Sequence, residues 1–184
     1  MFRIFKSKAT SHQIRINLSD ISQLFNSMDP SPFKERDLDK DAEEFILGWA
    51  REYAYHDPVS LVIQLKQFPD GEDPAPMVEQ AVRNNFAYRA KLNTLEFRRL
   101  MEQGRISLVI GLFFLIACLM TSQLLNAKAP GTFTSLTRES LTIAGWVAMW
   151  RPIEIYLYDW WPLRRRGQTF EKLSKIDVKL RRNK

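Results

Sequence analysis

The chain has 184 residues, a mean hydropathy of −0.28 and a net charge of +6, which excludes a polytopic transporter that lies in lipid along its whole length. Its one cysteine, Cys118, excludes an intrachain disulfide framework, and its two histidines are too few for a usual metal cage, so we expect no metal and no other cofactor. Nine Lys and Arg residues against two acidic residues follow position 163, and the rest of the chain is close to neutral, which does not fit a nucleic-acid binder.

Residues 1–76 have the pattern of a small N-terminal cytoplasmic α/β module. Gln13–Leu18 alternates between apolar and polar residues, and Val59–Leu65 does the same, so each predicts a strand. Two strands alone do not make a stable sheet. We therefore expect a third strand, contributed either by Phe2–Phe5 or by a neighbouring protomer.

Two helices are predicted within this module. Ser19 or Asp20 can cap a short first helix. The second, RDLDKDAEEFILGWAREYA at residues 36–54, has its apolar residues in one helical stripe. That stripe comprises Leu38, Ala42, Phe45, Ile46, Trp49, Ala50 and Tyr53. The aspartates at its start are not a calcium loop, because Ala42 and Gly48 stand where an EF-hand needs Gly and Glu; they are expected to cap the helix.

A long helix is predicted to connect this module to the membrane. Residues 77–105 contain no proline and form a helical stalk with mixed charges. Residues 106–126 follow as the first transmembrane helix, since Ile106–Leu125 contains no formally charged residue. About 20 such residues cover the ~30 Å of hydrocarbon in a bilayer.

The chain is then expected to turn and cross the membrane again. Residues 127–139 include Pro130 and Gly131 and predict an external loop. Residues 140–163 are the second transmembrane helix, which ends in an aromatic cluster typical of a membrane interface. Lys and Arg are concentrated in the two outer flanks rather than in the loop, so the positive-inside rule predicts that both termini are cytoplasmic.

The second span contains the only unusual polar stretch. Arg151 and Glu154 are three residues apart and can reach one another on a helix, and Tyr158 and Asp159 follow. Ionisable groups at this depth are usually paired or face water. Three hypotheses remain open: these residues anchor the helix at the interface, they bind a partner or another copy, or Glu154 and Asp159 ring a pore.

The end of the second span and the tail are expected to contact lipid. Trp160, Trp161, Arg164, Arg165 and Arg166 are the predicted interface anchors. Residues 164–184 form a basic cytoplasmic tail. The tail is either an amphipathic helix that lies on anionic headgroups or a disordered segment that only enforces topology.

These features predict an α+β membrane protein: a two-helix transmembrane hairpin with a small N-terminal cytoplasmic α/β module. No nucleophile and base can be paired, so we do not expect an enzyme. The favoured function is a membrane scaffold or accessory subunit, in the bacterial inner membrane, that forms a homo-oligomer or joins a larger membrane complex. The alternative is an oligomeric ion channel with Glu154 and Asp159 near its cytoplasmic mouth.

Overall fold

The structure, a computed structural model, describes residues 12–32, 36–67, 73–128 and 131–182. It is a mixed helix and strand protein with a small sheet. The elements in chain order are β1 (His12–Leu18), a 3-10 helix (Ile21–Leu24), α1 (Lys40–Glu52), β2 (Val59–Leu65), α2 (Ala75–Lys128), α3 (Thr132–Ala148), α4 (Trp150–Glu154), a π-helical turn (Ile155–Asp159), α5 (Trp160–Leu173) and β3 (Asp177–Arg182).

The chain divides into two compact units. One contains the residues up to Leu92 together with those from Arg166 onward, and the other contains residues 93–165. We call the first the sheet unit and the second the helical unit. Long helix α2 contributes residues to both, so the sequence between β2 and β3 includes the whole helical unit as an insertion.

The sheet unit is built on three parallel strands in the order β1-β2-β3. The first two strands are confirmed where the alternating pattern predicts them. The third strand comes from the C-terminal segment, with Ser60 aligned to Asp177 and Leu65 aligned to Arg182. The expectation of a strand from a neighbouring protomer is therefore wrong, and Phe2–Phe5 lies outside the described residues.

The C-terminal segment folds into this unit instead of forming a disordered tail. Helix α5 continues to Leu173, and the side chains of Phe170, Leu173 and Ile176 are buried in the core of the sheet unit. The expectation of a disordered segment is wrong over residues 166–182, and the expected helix ends at Leu173 because Asp177–Arg182 is a strand. An apolar helical face does not by itself reveal whether it meets lipid or a protein core.

One hydrophobic core joins the helices to one face of the sheet. It comprises Ile14, Leu24, Phe25, Leu38, Ile46, Ala50, Leu61, Ile63, Leu65, Val78, Ala81, Val82, Phe86, Phe170, Leu173, Ile176 and Val178. Strands that follow one another in order through right-handed crossovers receive all their connecting helices on the same face. Outside this core, Arg89 donates two hydrogen bonds to Glu43 Oε2, at 3.1 Å from Nε and 2.7 Å from Nη2, and so joins α2 to α1.

Local polar contacts define the starts of the short helices and the loop between them. Asp20 caps the 3-10 helix by accepting from Ser22 N at 2.7 Å, and Asp39 caps α1 by accepting from Asp41 N. Asp29 accepts from the backbone N–H groups of Ser31 and Asp37. These donors hold the pKa of Asp29 below its ordinary value, the Asp37 N–H contributing most.

Helix α2 runs without a break from Ala75 to Lys128, as the proline-free pattern predicts. Among the described residues, it is the one helix long and apolar enough to cross a membrane. The expected loop at 127–139 is largely wrong, because α3 already begins at Thr132. Three hydroxyls in and near the first turns of α3 bond to preceding carbonyls, for example Thr137 Oγ1 to Phe133 O at 2.9 Å, so Ser and Thr residues are accommodated in a helix here.

Candidate functional site in the helical unit

Helix α2 presents a line of small residues within the helical unit. Gly104, Gly111 and Cys118 are buried and lie seven residues apart, and Ser122 continues the same buried side. Most other side chains of α2 from Ile106 to Leu124 are exposed. A repeat of seven keeps one face of a helix toward a partner helix along its length, and small residues allow the two backbones to approach closely.

The partner is the helical segment formed by α3, α4 and the π turn (residues 132–159), which runs back along this line of small residues. We call this the second helical segment. A Cβ on Gly145 would lie 2.8 Å from Leu115 Cδ1, and one on Gly111 would lie 2.9 Å from the carbonyl oxygen of Ala148. Further along, a Cβ on Gly104 would lie 2.9 Å from Ile155 Cγ2. The two segments are therefore antiparallel and in close contact from Cys118 to Gly104.

The predicted polar residues form a cluster centred on one arginine. Arg151 Nη1 donates to Glu154 Oε2 at 3.0 Å and to Asp159 Oδ2 at 3.2 Å. The pairing of Arg151 with Glu154 confirms the prediction from their spacing. The three side chains are between 32% and 50% exposed, and together they carry a net charge of −1. We call these three residues the acid–arginine cluster.

A π-helical turn brings Asp159 into the cluster. In a regular α-helix, a residue eight positions after Arg151 would be rotated by about 80° from it. The π turn at Ile155–Asp159 accommodates one extra residue. Asp159 therefore takes roughly the angular position of residue i+7, about 20° from Arg151, and its carboxylate faces the guanidinium.

The helix beyond the π turn is held by hydrogen bonds to carbonyl groups. Trp160 Nε1 donates to the carbonyl oxygen of Tyr156 at 2.8 Å. Asn93 Nδ2, on α2, donates to the carbonyl oxygen of Leu163 at 2.9 Å. The Tyr156 carbonyl lies in the π turn, where the regular hydrogen-bond pattern of the helix is interrupted, and the Leu163 carbonyl lies one residue after Pro162 in α5.

The predicted interface anchors are ordered by stacking. The guanidinium of Arg164 lies 5.7 Å from the ring centroid of Trp160, and that of Arg165 lies 5.0 Å from the ring centroid of Trp161. Cation–π contacts at this range favour Arg beside Trp. Arg166 lies in the sheet unit, with its guanidinium 5.4 Å from the ring centroid of Phe170. The five anchors are therefore divided between the two units.

A shallow groove borders the acid–arginine cluster. It is lined by Ser107, Ile110, Gly111, Phe114, Ala148, Arg151 and Pro152. Its lining is mostly apolar, and Arg151 at its margin supplies the one charge. Tyr158, which the sequence grouped with Arg151, is 68% exposed and makes no hydrogen bond to the cluster.

Sequence reasoning missed two features of this site. The sequence does contain the signal for the line of Gly104, Gly111 and Cys118, since these small residues repeat every seven positions. The bond from Arg151 to Asp159 had no such signal, since their spacing places them on different faces of an α-helix. Among the described residues, no group of three or more His, Cys, Asp and Glu side chains could hold a metal ion. Comparison of the chain with protein families, with curated proteins and with solved structures found no match.

Proposed function

We propose that this protein is a small membrane scaffold or accessory subunit that crosses the bilayer twice and self-associates, or holds a partner complex, at the cytoplasmic face. The proposed location is the bacterial inner membrane, with both termini cytoplasmic. In this proposal the helical unit is the anchor, and the sheet unit is the part available to soluble partners. The basic side chains that follow the second span are proposed to meet anionic headgroups.

The observation that carries the proposal is the pairing of β3 with β2 in one sheet. Strand β2 precedes the apolar helix α2, and β3 follows the helical unit. A single crossing by α2 would put these two strands on opposite sides of the membrane, where they could not hydrogen-bond. If α2 spans the bilayer, the chain must therefore cross it again before residue 177.

The close contact between the two helical segments supports the same topology. Gly145, Ala148 and Ile155 pack along the apolar part of α2. A segment that contacts a spanning helix over this length lies at the same membrane depth. The break at Met149, between α3 and α4, is compatible with a span because carbonyls freed by a break can be satisfied by neighbouring groups inside a membrane protein.

Self-association is supported by the acid–arginine cluster. The contact between the two helical segments uses small residues, while Arg151, Glu154 and Asp159 remain between one third and one half exposed. Charged groups in an apolar region are costly unless they are paired or face water or protein. A second copy, or a partner helix that supplies a hydrogen-bond donor, would remove the exposed part of the cluster from lipid.

The channel alternative receives less support from this geometry. A ring of carboxylates selects cations when its negative charge faces the pore. Here Arg151 binds both carboxylates of its own chain. Half of their negative charge is compensated within each protomer, which favours assembly over cation selection.

The topology can be tested with single cysteines in a Cys118→Ala background. Ser19→Cys and Lys175→Cys are exposed positions in the sheet unit, and Gly131→Cys lies in the connection between the spans, where an added Cβ meets no atom within 4 Å. In intact spheroplasts, a membrane-impermeant maleimide should label only Gly131→Cys. Equal labelling of all three before lysis would refute the double crossing.

Assembly can be tested with Arg151→Ala in native membrane extracts. We expect this variant to lose the oligomer or the partner complex, because it leaves two carboxylates without their cation. Glu139→Ala, an exposed acid elsewhere in the helical unit, is the control and should leave assembly unchanged. An intact oligomer with altered ion conductance would support the channel alternative instead.

A further inference from the structure

The sheet has one face that no helix of the described chain covers. The core helices pack against the face of the sheet that carries Ile14, Leu61 and Val178, which are aligned across the three strands. The opposite face presents Gln13, Arg15, Asn17, Ser60, Val62, Gln64, Asp177, Lys179 and Arg181. Its outer strands β1 and β3 are exposed there, while Val62 at its centre is buried. We call this surface the open sheet face.

An uncovered face is unusual for a parallel sheet. Parallel strands occur almost only in proteins that cover both faces of the sheet with helices. The composition of β2 has the same implication, because Leu61, Val62 and Ile63 are consecutive apolar residues. A run of this kind is typical of a strand between two layers.

Helix α1 carries an unpartnered surface on the opposite side of the same unit. It packs on the core through Ile46 and Ala50. Its outer side forms a groove lined by Asp41, Glu44, Phe45, Gly48, Trp49 and Glu52. Phe45 and Trp49 are 44% and 42% exposed, with their ring centroids 6.1 Å apart. We call this surface the outer face of α1.

We propose that the outer face of α1 in one copy of this chain docks on the open sheet face of a second copy. This contact supplies the missing helical layer of each sheet. The two faces lie on opposite sides of one unit, so the contact is head-to-tail and can be repeated from copy to copy.

Charge complementarity is the first argument for this occupant. The open sheet face carries Arg15, Lys179 and Arg181 against Asp177, a net charge of +2. The outer face of α1 carries three carboxylates, and Arg51 flanks them, so its net charge is −2. Opposed potentials of this kind favour one register of docking and disfavour the contact of either face with itself.

The second argument is the glycine between the two aromatic residues. Gly48 lies inside α1, where glycine costs roughly 0.5–1 kcal/mol relative to alanine. A Cβ at this position would meet no atom within 4 Å, so the fold of the unit does not require glycine there. A partner that approaches the helix closely between Phe45 and Trp49 would explain why this position is glycine.

The inference rests on the proposed function only in requiring that two copies share one membrane; it does not depend on the acid–arginine cluster. The experiment therefore uses the full chain in membranes, with two differently tagged copies in a Cys118→Ala background. One copy carries Arg51→Cys, which leaves Gly48 unchanged, and the other carries Arg15→Cys, and an oxidant forms disulfides between neighbouring thiols. Since each chain has a single cysteine, any disulfide must join two copies.

We expect a disulfide between the two different tags and little between identical tags. Cross-linking of Arg51→Cys to itself would show that α1 meets α1 and would overturn the proposal. The absence of any cross-link, in a membrane where the Arg151-dependent oligomer is still recovered, would overturn it as well and leave the proposed function standing. Loss of both signals would count against the proposed function too.

Charge reversal provides a second measurement on the same pair. Lys179→Glu with Arg181→Glu in the Arg15→Cys copy should lower the yield of the mixed disulfide at least about fivefold, as expected for the loss of roughly 1 kcal/mol. Glu44→Lys with Glu52→Lys in the other copy should restore it. Lys91→Glu, an exposed reversal away from both faces, is the control. If none of these reversals changed the yield of the mixed disulfide, the charge-directed contact would be overturned.

Discussion

The guanidinium of Arg151 and the carboxylate of Asp159 lie 3.2 Å apart although the two residues are eight positions apart in the chain. The π turn at Ile155–Asp159 makes this contact possible because it removes most of the angular difference that an α-helix would impose. One arginine thereby forms ion pairs with two carboxylates, Glu154 and Asp159. The cluster is a product of helix geometry as much as of residue type.

A deletion that removes the extra residue of the π turn should be tolerated. Without Leu157, which is 60% exposed, the turn can revert to a regular α-helix while Asp159 and all later residues keep their faces. We expect the variant to reach the membrane and to assemble like the wild type. The measurement is the amount of oligomer in native extracts.

The matched control is deletion of Val147, which is also exposed but lies near the end of α3, outside the π turn. Every residue after it would rotate by about 100° relative to the preceding ones. This variant should lose assembly and accumulate poorly. If deletion of Leu157 were as harmful as deletion of Val147, the role assigned to the π turn would be wrong.

Gly111→Ala should separate the two helical segments. Its new Cβ would lie 2.9 Å from the backbone carbonyl oxygen of Ala148, which cannot rotate away as a side chain can. Overpacking of this kind typically costs about 1–3 kcal/mol. The thermal unfolding of the purified protein in mild detergent measures the effect.

Gly145→Ala is the comparison, since its Cβ would meet the terminal Cδ1 of Leu115, which can change rotamer. It should cost less than Gly111→Ala. Gly48→Ala, with no atom in its way, should raise the stability of an isolated protomer by about 0.5–1 kcal/mol. If Gly48→Ala were the most destabilising of these three variants and Gly111→Ala the least, the result would contradict the described packing.

Leu173→Ala should destabilise the sheet unit although Leu173 lies far along the basic C-terminal segment. The side chain is fully buried against the core, and truncation of a buried leucine costs about 2–5 kcal/mol. Faster hydrogen exchange of the β2 amides is the expected readout. Lys175→Ala, at a position 73% exposed on its side chain, should leave that exchange unchanged, and equal rates for both variants would contradict the core position of Leu173.

The acid stability of the sheet unit should depend on Asp29. Hydrogen bonds from Asp37 N–H and Ser31 depress the pKa of Asp29 below 3.8 in the folded state, so its contribution is present above that pH and disappears as the pH falls through the lower folded value. Asp29→Asn should therefore be less stable than the wild type at neutral pH. Urea unfolding at several pH values should show the two proteins converging below about pH 4, and a difference that does not change with pH would contradict this account.

Local patterns were sufficient for the elements of the sheet unit that precede α2. Alternation in Gln13–Leu18 and Val59–Leu65 predicted β1 and β2, and the stripe around Ile46 and Ala50 predicted α1. The continuity of α2 followed from the absence of proline. Each of these depends on periodicity within one element, which a single sequence contains.

Pairings between distant segments could not be predicted in this way. Strand β3 has one buried residue, Val178, among basic neighbours, and its own six residues do not indicate that it joins β2 across the whole helical unit. The spacing of Arg151 and Glu154 predicted their ion pair, but Asp159 enters only through the π turn. In both cases the missing information lies in three-dimensional proximity.

The position of β3 after the whole helical unit has a consequence for biogenesis. A ribosome releases β1, α1 and β2 well before it has made β3, so the side of β2 that pairs with residues 177–182 has no partner until the intervening helices have been synthesised. An unpaired strand edge is a site of aggregation. In the proposed double crossing, membrane insertion then acts as a checkpoint for the sheet unit: a chain that stopped after one crossing would leave its sheet incomplete and open to quality-control proteases.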